Sequence, residues 1–339
     1  MKKIITVYGA TGHTGRFVVA ELIRQGFTPV VSGRDAEALK ALWPDFETRP
    51  AAVDDDHALD AALIGADAVI NAAGPFALTG AAVSAAAVRA GIPYVDVAAE
   101  IEANADTFAA HRNATTPIVP AMAFYGGLSD LLVSATLGGR TSADEVIVAY
   151  GLSSWHPTPG TRAAGQVSHD RRNGRRVRFA DGELQYHDDQ PSQEDWQFPE
   201  PLGNRRVIKE FTMADVVTIP SHLDVPNVRT AMTLEAAGDL AQPDTPAPKA
   251  VDDEGRSDQT FIVDVLVRTS DGDLRASAHG QDIYAITAPL AVGAVRRLLA
   301  GEARTTGVAS AGAMFDPADF LNELSPYLTV RIASSTSGS

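Results

Sequence analysis

Ile4-Ile5-Thr6-Val7-Tyr8-Gly9-Ala10-Thr11-Gly12-His13-Thr14-Gly15-Arg16 opens with an apolar run long enough for a buried parallel strand and continues with three glycines at three-residue spacing. Phe17-Val18-Val19-Ala20-Glu21-Leu22-Ile23 then reads as the first turns of a helix. A glycine triplet means little alone; between a strand and a helix it predicts a dinucleotide turn. The tight turn needs a residue that tolerates positive φ, which suits Gly9. Gly12 lets a pyrophosphate approach the backbone, and Gly15 lets the helix pack closely on its strand. The helix N-terminus points unpaired N–H groups and a partial positive charge at the phosphates. Gly9, Thr11, Gly12, His13, Thr14 and Gly15 are therefore expected to bind the cofactor. A glycine-rich turn without a ligand is the plainer alternative.

The second strand, Thr28-Pro29-Val30-Val31-Ser32, runs into Gly33-Arg34-Asp35. An acid at this strand end would bind a ribose 2′-hydroxyl, whereas an arginine suits a 2′-phosphate. Ser32 and Arg34 flank the position, and Asp35 is placed to cap the helix Ala36–Leu42. The expected cofactor is NADP(H), with Ser32 and Arg34 at its phosphate. Asp54 falls where a third strand ends, near an adenine ring, or else caps the helix His57–Ile64. The fourth strand exits through Asn71-Ala72-Ala73-Gly74-Pro75-Phe76, whose small residues let the backbone approach the cofactor. Helix Gly80–Ala90, strand Pro93–Val97, Glu100 with a helix to Ala110, and strand Pro117–Ala123 continue the alternation. The expected class is α/β, a Rossmann doubly wound parallel sheet.

The chain has 339 residues, room for two domains. Its formal net charge of −15 argues against nucleic acid or an anionic membrane as partner. Without cysteine it has no disulfide, thiolate nucleophile or cysteine metal site. No apolar run is long enough to span a bilayer, and Met1-Lys2-Lys3 leads into a strand without the apolar core of a signal peptide. The expected location is the cytoplasm.

Gly9-Ala10-Thr11-Gly12-His13-Thr14-Gly15, Ser32-Gly33-Arg34, Asn71–Phe76 and Tyr94-Val95-Asp96-Val97 resemble, in order and spacing, the saccharopine dehydrogenase-like NADP-binding proteins. The chain looks like their short bacterial branch, which includes proteins named as trans-acting enoyl reductases. The resemblance covers residues 1–130, weakens over 140–285, and returns at Asp282–Ala288 and Gly307-Val308. It implies an NADP-binding domain over 1–124 plus about 286–330, with an α+β substrate and dimerisation domain at 125–285. His13 departs from the aromatic residue usual in the family. The nicotinamide end is implied near Phe124–Leu132, and Gly160-Thr161 match a cofactor-facing pair.

The second half reads as a mixed or antiparallel sheet. Asp181-Gly182 and Asp271-Gly272 signal hairpins, and Glu145–Tyr150, Val216–Ile219 and Arg229–Glu235 read as strands. Pro289–Ala300 and Pro317–Leu324 read as helices, and 333–339 as a disordered tail. Ser153–Arg162 is the candidate substrate loop: Trp155 as an apolar wall, His156 as a proton donor or acceptor, Thr161 as a cap for Arg162–His169. Trp155, Thr161 and Arg162 are the expected substrate residues; His156, Tyr125 and Tyr284 are the candidate catalytic residues. A plain surface histidine is the alternative for His156. Five arginines in Arg171–Arg178 form either a solvated hairpin face or a dock for an anionic or carrier-linked substrate.

None of the seven tyrosines has a lysine four residues on, which excludes the usual Tyr-x-x-x-Lys scheme. No His-Glu-x-x-His or Gly-x-Ser-x-Gly occurs, so neither a catalytic zinc nor a hydrolase elbow is expected. The expected function is NADPH-dependent hydride transfer to a C=N or conjugated C=C bond of a small metabolite, in a homodimer. A non-catalytic NADP-binding regulator is the alternative.

Overall fold

The computed structural model describes residues 2–333, so the tail expected from 333 lies outside the described residues after Ala333. Up to Val119 the hydrophobic pattern produces alternating strands and helices: β1 (Ile4–Tyr8), α1 (His13–Arg24), β2 (Thr28–Gly33), α2 (Ala36–Leu42), β3 (Thr48–Pro50), α3 (Asp56–Leu63), β4 (Ala68–Asn71), α4 (Phe76–Ala90), β5 (Tyr94–Asp96), α5 (Ile101–Ala110) and β6 (Ile118–Val119). All pairings among these strands are parallel, in the order β3-β2-β1-β4-β5-β6. The order reverses between β1 and β4, where a crevice opens at the carboxyl ends of the strands. β1 and β4 are buried nearly throughout, as strands covered on both faces must be.

The chain leaves β6 through a π-type turn, Phe124–Leu128, and enters α6 (Ser129–Leu137). Ser129 and Asp130 do not cap this helix. Both are fully buried: Ser129 binds the Asp215 carboxylate, and Asp130 accepts from His222 and from the Gly312 N–H. Beyond lie β7 (Glu145–Leu152), α7 (Pro159–Arg171), β8 (Arg176–Ala180), β9 (Glu183–His187), β10 (Gln193–Gln197), β11 (Asn204–Lys209), α8 (Asp215–Thr218), β12 (Val228–Thr233), α9 (Leu234–Ala241), β13 (Thr260–Thr269) and β14 (Gly272–Gln281). They build a mixed sheet in the order β10-β11-β12-β7-β13-β14, in which β12 and β7 are parallel and β8–β9 branches from β12.

Val216–Ile219, expected as a strand, instead falls on the short helix α8. Its β-branched residues are overruled by Asp215, whose buried carboxylate accepts from Ser129 and Tyr150. Both Asp-Gly hairpins form, at β8–β9 and β13–β14.

The end of the chain divides between the two sheets. α10 (Thr287–Ala300) packs on α1, β4 and β5, and Gly307–Ala309 runs beside Ile118 of β6. α11 (Ala311–Met314) and α12 (Pro317–Glu323) pack on α6, and β15 (Leu328–Ile332) joins the second sheet beside β14. One hydrophobic core is continuous across both sheets, from Val7 and Ile70 to Val148 and Val265.

The strand exits are tied together at Asp96. This fully buried carboxylate accepts from Tyr94 OH (2.9 Å), Ala98 N (3.1 Å) and Ala121 N (2.8 Å). Burial raises it to about 6, although all three hydrogen bonds pull the other way. The folded chain therefore keeps a proton there that the unfolded chain, titrating at about 4, has lost. The stability this contributes is full below about pH 4 and is lost as pH rises through about 6. Between pH 5 and 7 the loss is about 1.3 kcal/mol. Asp96→Asn keeps an acceptor for Ala98 and Ala121 and should lessen the pH slope of urea unfolding by that amount; an unchanged slope would refute the assignment.

Candidate functional site

At the end of β1 the chain turns at Gly9, whose φ is +88° and whose missing Cβ would lie 2.7 Å from Ala73 N. Only glycine fits here, because the β4 exit loop presses on the turn. A Cβ on Gly15 would lie 2.1 Å from Gly9 O, so α1 sits on the turn itself. Gly12 is the N-cap of α1 and offers no side chain, which leaves the first-turn N–H groups free for an anion. The turn opens into a cavity of about 1800 Å³, well above the 300–1,000 Å³ usual for one small ligand. It runs along the carboxyl ends of the first sheet and under the second.

Most of the expected cofactor residues line this cavity: Gly9, Thr11, Gly12, His13, Thr14, Arg34, Asp54 and Ala72 to Phe76. Gly15, Ser32 and Asn71 do not, and their roles are corrected to supporting ones. Gly15 is buried in the helix contact just described. Ser32 is fully buried; its Oγ donates to Arg49 O (2.7 Å) and its carbonyl receives Gly9 N (2.9 Å). Asn71 is fully buried; its Oδ1 accepts from Ala73 N (3.0 Å) and its Nδ2 donates to Thr79 and Tyr94. All three shape the wall from behind.

At the end of β2, Asp35 accepts from Ala38 N (3.0 Å) and is engaged as the cap of α2. Arg34 is exposed at the cavity rim and forms no ion pair among the described residues. The strand end thus presents a free cation and no free acid, the arrangement that selects a 2′-phosphate.

The other end of the cavity is drier. Trp155, 2% exposed, donates Nε1–H to Tyr284 OH (3.2 Å) and packs 5.5 Å from the Tyr125 ring, centroid to centroid. The Tyr284 hydroxyl also meets Thr158 N (3.3 Å), Thr161 Oγ1 (3.0 Å) and His156 O (3.3 Å). The Tyr125 hydroxyl is buried with no partner among the described residues. Burial raises both phenols; for Tyr284 the hydrogen bonds from Thr161, Trp155 and Thr158 offset part of it. His13, edge-on to Tyr284 at 5.1 Å, is pushed down by burial, which outweighs the opposing pull of Asp282, and so is neutral at neutral pH.

The remaining expectations fare unevenly. His156 is not on the cavity wall: it is half-buried, and its Nδ1 meets Pro246 O (3.1 Å) of the 242–250 loop. It is removed as a candidate proton donor. Thr158, not Thr161, caps α7, accepting from Thr161 N (3.1 Å). Arg162 lines the cavity, but its guanidinium is engaged by the carbonyls of Leu240, Gln242 and Thr245. In the arginine run, Arg171 pairs with Asp106, Arg172 with Glu102, Arg176 with Glu210 and Arg178 with Asp189. Arg175 lies over the Tyr186 ring (5.1 Å). The run thus ties neighbouring elements together, and Arg172, Arg175 and Arg176 also line the cavity. Sequence reading missed Glu100, Phe211 and Met213, all on the cavity wall. Only Glu100, an acid just past a buried strand end, carried a signal.

Residues 5–121 match the family model of the saccharopine dehydrogenase NADP binding domain. The first domain is a saccharopine dehydrogenase NADP-binding domain. A lipid droplet localized protein of Caenorhabditis elegans is 34% identical over 111 residues, 28% of this chain. The match spans only about a quarter (26%) of that relative. The fold of the whole chain resembles apo saccharopine dehydrogenase (L-Glu forming) from Saccharomyces cerevisiae, with a TM-score of 0.66 at 12% identity over 98% of this chain and 100% of that one. Among the described residues no helix is long and apolar enough to cross a membrane. The NADP-binding domain fits its cofactor on the grounds above: the Cβ-free turn, the uncapped α1 N-terminus and the free Arg34.

Arg34→Ala should weaken NADPH binding by about 1.5–3 kcal/mol, the range for a charge-assisted hydrogen bond, and leave NADH binding nearly unchanged. Fluorescence titration with both cofactors checks this; equal losses would remove Arg34 from the 2′-phosphate. Gly15→Ala should cost about 1–3 kcal/mol of stability through overpacking and weaken both cofactors together, read by thermal melting and the same titration.

Proposed function

We propose that this protein is an NADPH-dependent reductase acting on an electron-poor C=N or conjugated C=C bond of a small or carrier-linked metabolite. The observation that carries the reading is the cavity, which continues from the dinucleotide turn to the hydroxyl cluster of Tyr125, Tyr284 and Thr161 and is too large for a cofactor alone. NADPH supplies the hydride when bound. A protein that only sensed NADP(H) would have no use for a second compartment lined with buried phenols.

The phenols restrict the chemistry. With both raised by burial and no lysine beside either, they are poor proton releasers but sound hydrogen-bond donors. That suits a substrate that is already protonated, such as an iminium, or an enone oxygen that needs only a hydrogen bond. Simple ketone reduction builds alkoxide charge and asks for a stronger acid. Tyr284 accepts from Trp155 Nε1 and Thr158 N, which leaves its own proton directed at Thr161 or the His156 carbonyl. Tyr125, whose buried hydroxyl has no partner among the described residues, keeps its proton uncommitted beside the cavity. Trp155 and Phe211, centroids 5.9 Å apart, form an apolar wall that keeps water from the reacting bond.

The test is a screen of imines, enones and ketones that follows NADPH absorbance. Tyr125→Phe should lower kcat roughly 10²-fold with NADPH affinity intact, and His156→Phe should leave both unchanged. Tight NADPH binding with no turnover across the panel would overturn the reductase reading in favour of a nucleotide-binding regulator.

A further inference from the structure

Glu100 is a carboxyl that nothing above puts to use. It follows β5 at the carboxyl edge of the first sheet, is 8% exposed, and lines the cavity. Its Oε1 accepts from the Phe76 N–H (2.8 Å), which pins it against the β4 exit loop. Oε2 accepts no hydrogen bond from any side chain or from another residue's backbone among the described residues. With Oε1 receiving an N–H, a proton on this carboxyl sits on Oε2.

The position follows from topology. In a sheet ordered 3-2-1-4-5-6, a dinucleotide straddles the switch point, its adenosine half over β1 to β3 and its other half over β4 to β6. Arg34 and Asp54 stand on the first side. Glu100, between the exits of β4 and β6, stands on the second.

We infer that Glu100 is the proton-bearing group at the reacting end of the site, and that it gives up its proton as the cofactor passes from the reduced to the oxidised form. The inference rests on the reductase reading and balances it. Reduction of a conjugated C=C, or of an imine that takes its proton within the site, adds one hydride and one proton: NADPH becomes NADP⁺, the substrate gains two hydrogens, and Glu100 goes from acid to carboxylate. A carboxylate at this place would offset the positive charge that the nicotinamide gains on oxidation, in a site shielded from water. Water entering with product exchange returns the proton.

The surroundings agree. Burial raises the Glu100 carboxyl to about 7, opposed by the Phe76 N–H and assisted by the like charges of Asp96 and Glu102. Of the elements around it, β5 brings Asp96, whose three hydrogen bonds are described above, and α5 brings Glu102. Glu102 is held by Ser168 Oγ (2.5 Å) and faces Arg172 of the α7 C-terminus at 3.5 Å. α4 carries one charged residue, Arg89, which is paired with Asp60 and Asp56. Asp215 of α8 is bound to Ser129 and Tyr150.

The test needs no substrate. NADP⁺ and NADPH differ in the charge of the nicotinamide ring; the 2′-phosphate is common to both, and its titration cancels in the ratio of their Kd values. The full chain is titrated calorimetrically with each cofactor from about pH 6 to about pH 8, in buffers of different ionisation enthalpy. If the positive ring lowers Glu100 by one unit, the ratio Kd(NADP⁺)/Kd(NADPH) falls roughly fivefold across that range, and NADP⁺ binding at pH 7 releases roughly 0.4 proton that NADPH binding does not. Glu100→Gln retains an acceptor for Phe76 N and should make the ratio independent of pH, with both cofactors still bound. A flat ratio in the unmodified protein overturns the inference whether or not the variant folds, as does a pH-dependent ratio that survives in Glu100→Gln. Failure of either form to bind at any pH strikes the cofactor reading itself, and the inference falls with it.

Discussion

Asp96 accepts from Tyr94 OH, Ala98 N and Ala121 N with no exposure to solvent, and its own carbonyl receives Met122 N (2.7 Å). Tyr94 OH in turn receives Asn71 Nδ2 (3.2 Å), and Asn71 Oδ1 holds Ala73 N (3.0 Å). One chain of buried polar groups therefore crosses the exits of β4, β5 and β6. A buried donor or acceptor left without its partner costs about 1–3 kcal/mol, so the members hold each other in place. The loops they fix carry Gly74 to Phe76, Glu100 and Tyr125. The reacting end of the cavity has its shape because these three loops cannot move independently.

The two ends of the cavity are different electrostatic media. The adenosine end is open, with a helix N-terminus and an exposed guanidinium awaiting phosphate. The reacting end is walled by Trp155, Phe124 and Phe211, and its ionisable groups are pushed toward their neutral forms: phenols raised, His13 lowered, Glu100 raised. Burial causes all of these shifts, and it acts in each case against the charged form. A site of this kind stabilises charge only when the reaction creates it, the condition for differential stabilisation of a transition state.

The second domain contributes mainly through the exit of β7. Trp155, Thr158 and Thr161 converge on Tyr284, which comes from the segment between β14 and α10, so the hydroxyl cluster joins residues more than 120 positions apart. The arginine run beside it is largely paired, although Arg172, Arg175 and Arg176 also line the cavity. On a chain of net charge −15, four of its guanidinium groups meet carboxylates at 2.7–3.5 Å.

What the sequence by itself determined was local. Gly9, Gly12 and Gly15 signal a dinucleotide turn because strand, turn and helix are contiguous. Asp35 caps the helix that begins one residue later, which leaves Arg34 free, and Asp-Gly pairs place two hairpins. Each depends on neighbours within a few residues. Where partners lie far along the chain, the same reasoning failed. Val216–Ile219 has strand propensity but is held helical beside the Asp215 contacts with Ser129 and Tyr150. His156 stands off the cavity wall with its Nδ1 at Pro246 O, 90 positions away, and the polar atoms of Ser32 and Asn71 are committed to backbone and side chains behind the wall. Glu100 reads in sequence only as the start of a helix, because its character comes from burial and from Phe76, 24 positions away. Tertiary structure alone decides which polar atoms keep a free valence and which lose their water, because burial and hydrogen-bond pairing are properties of the packed chain.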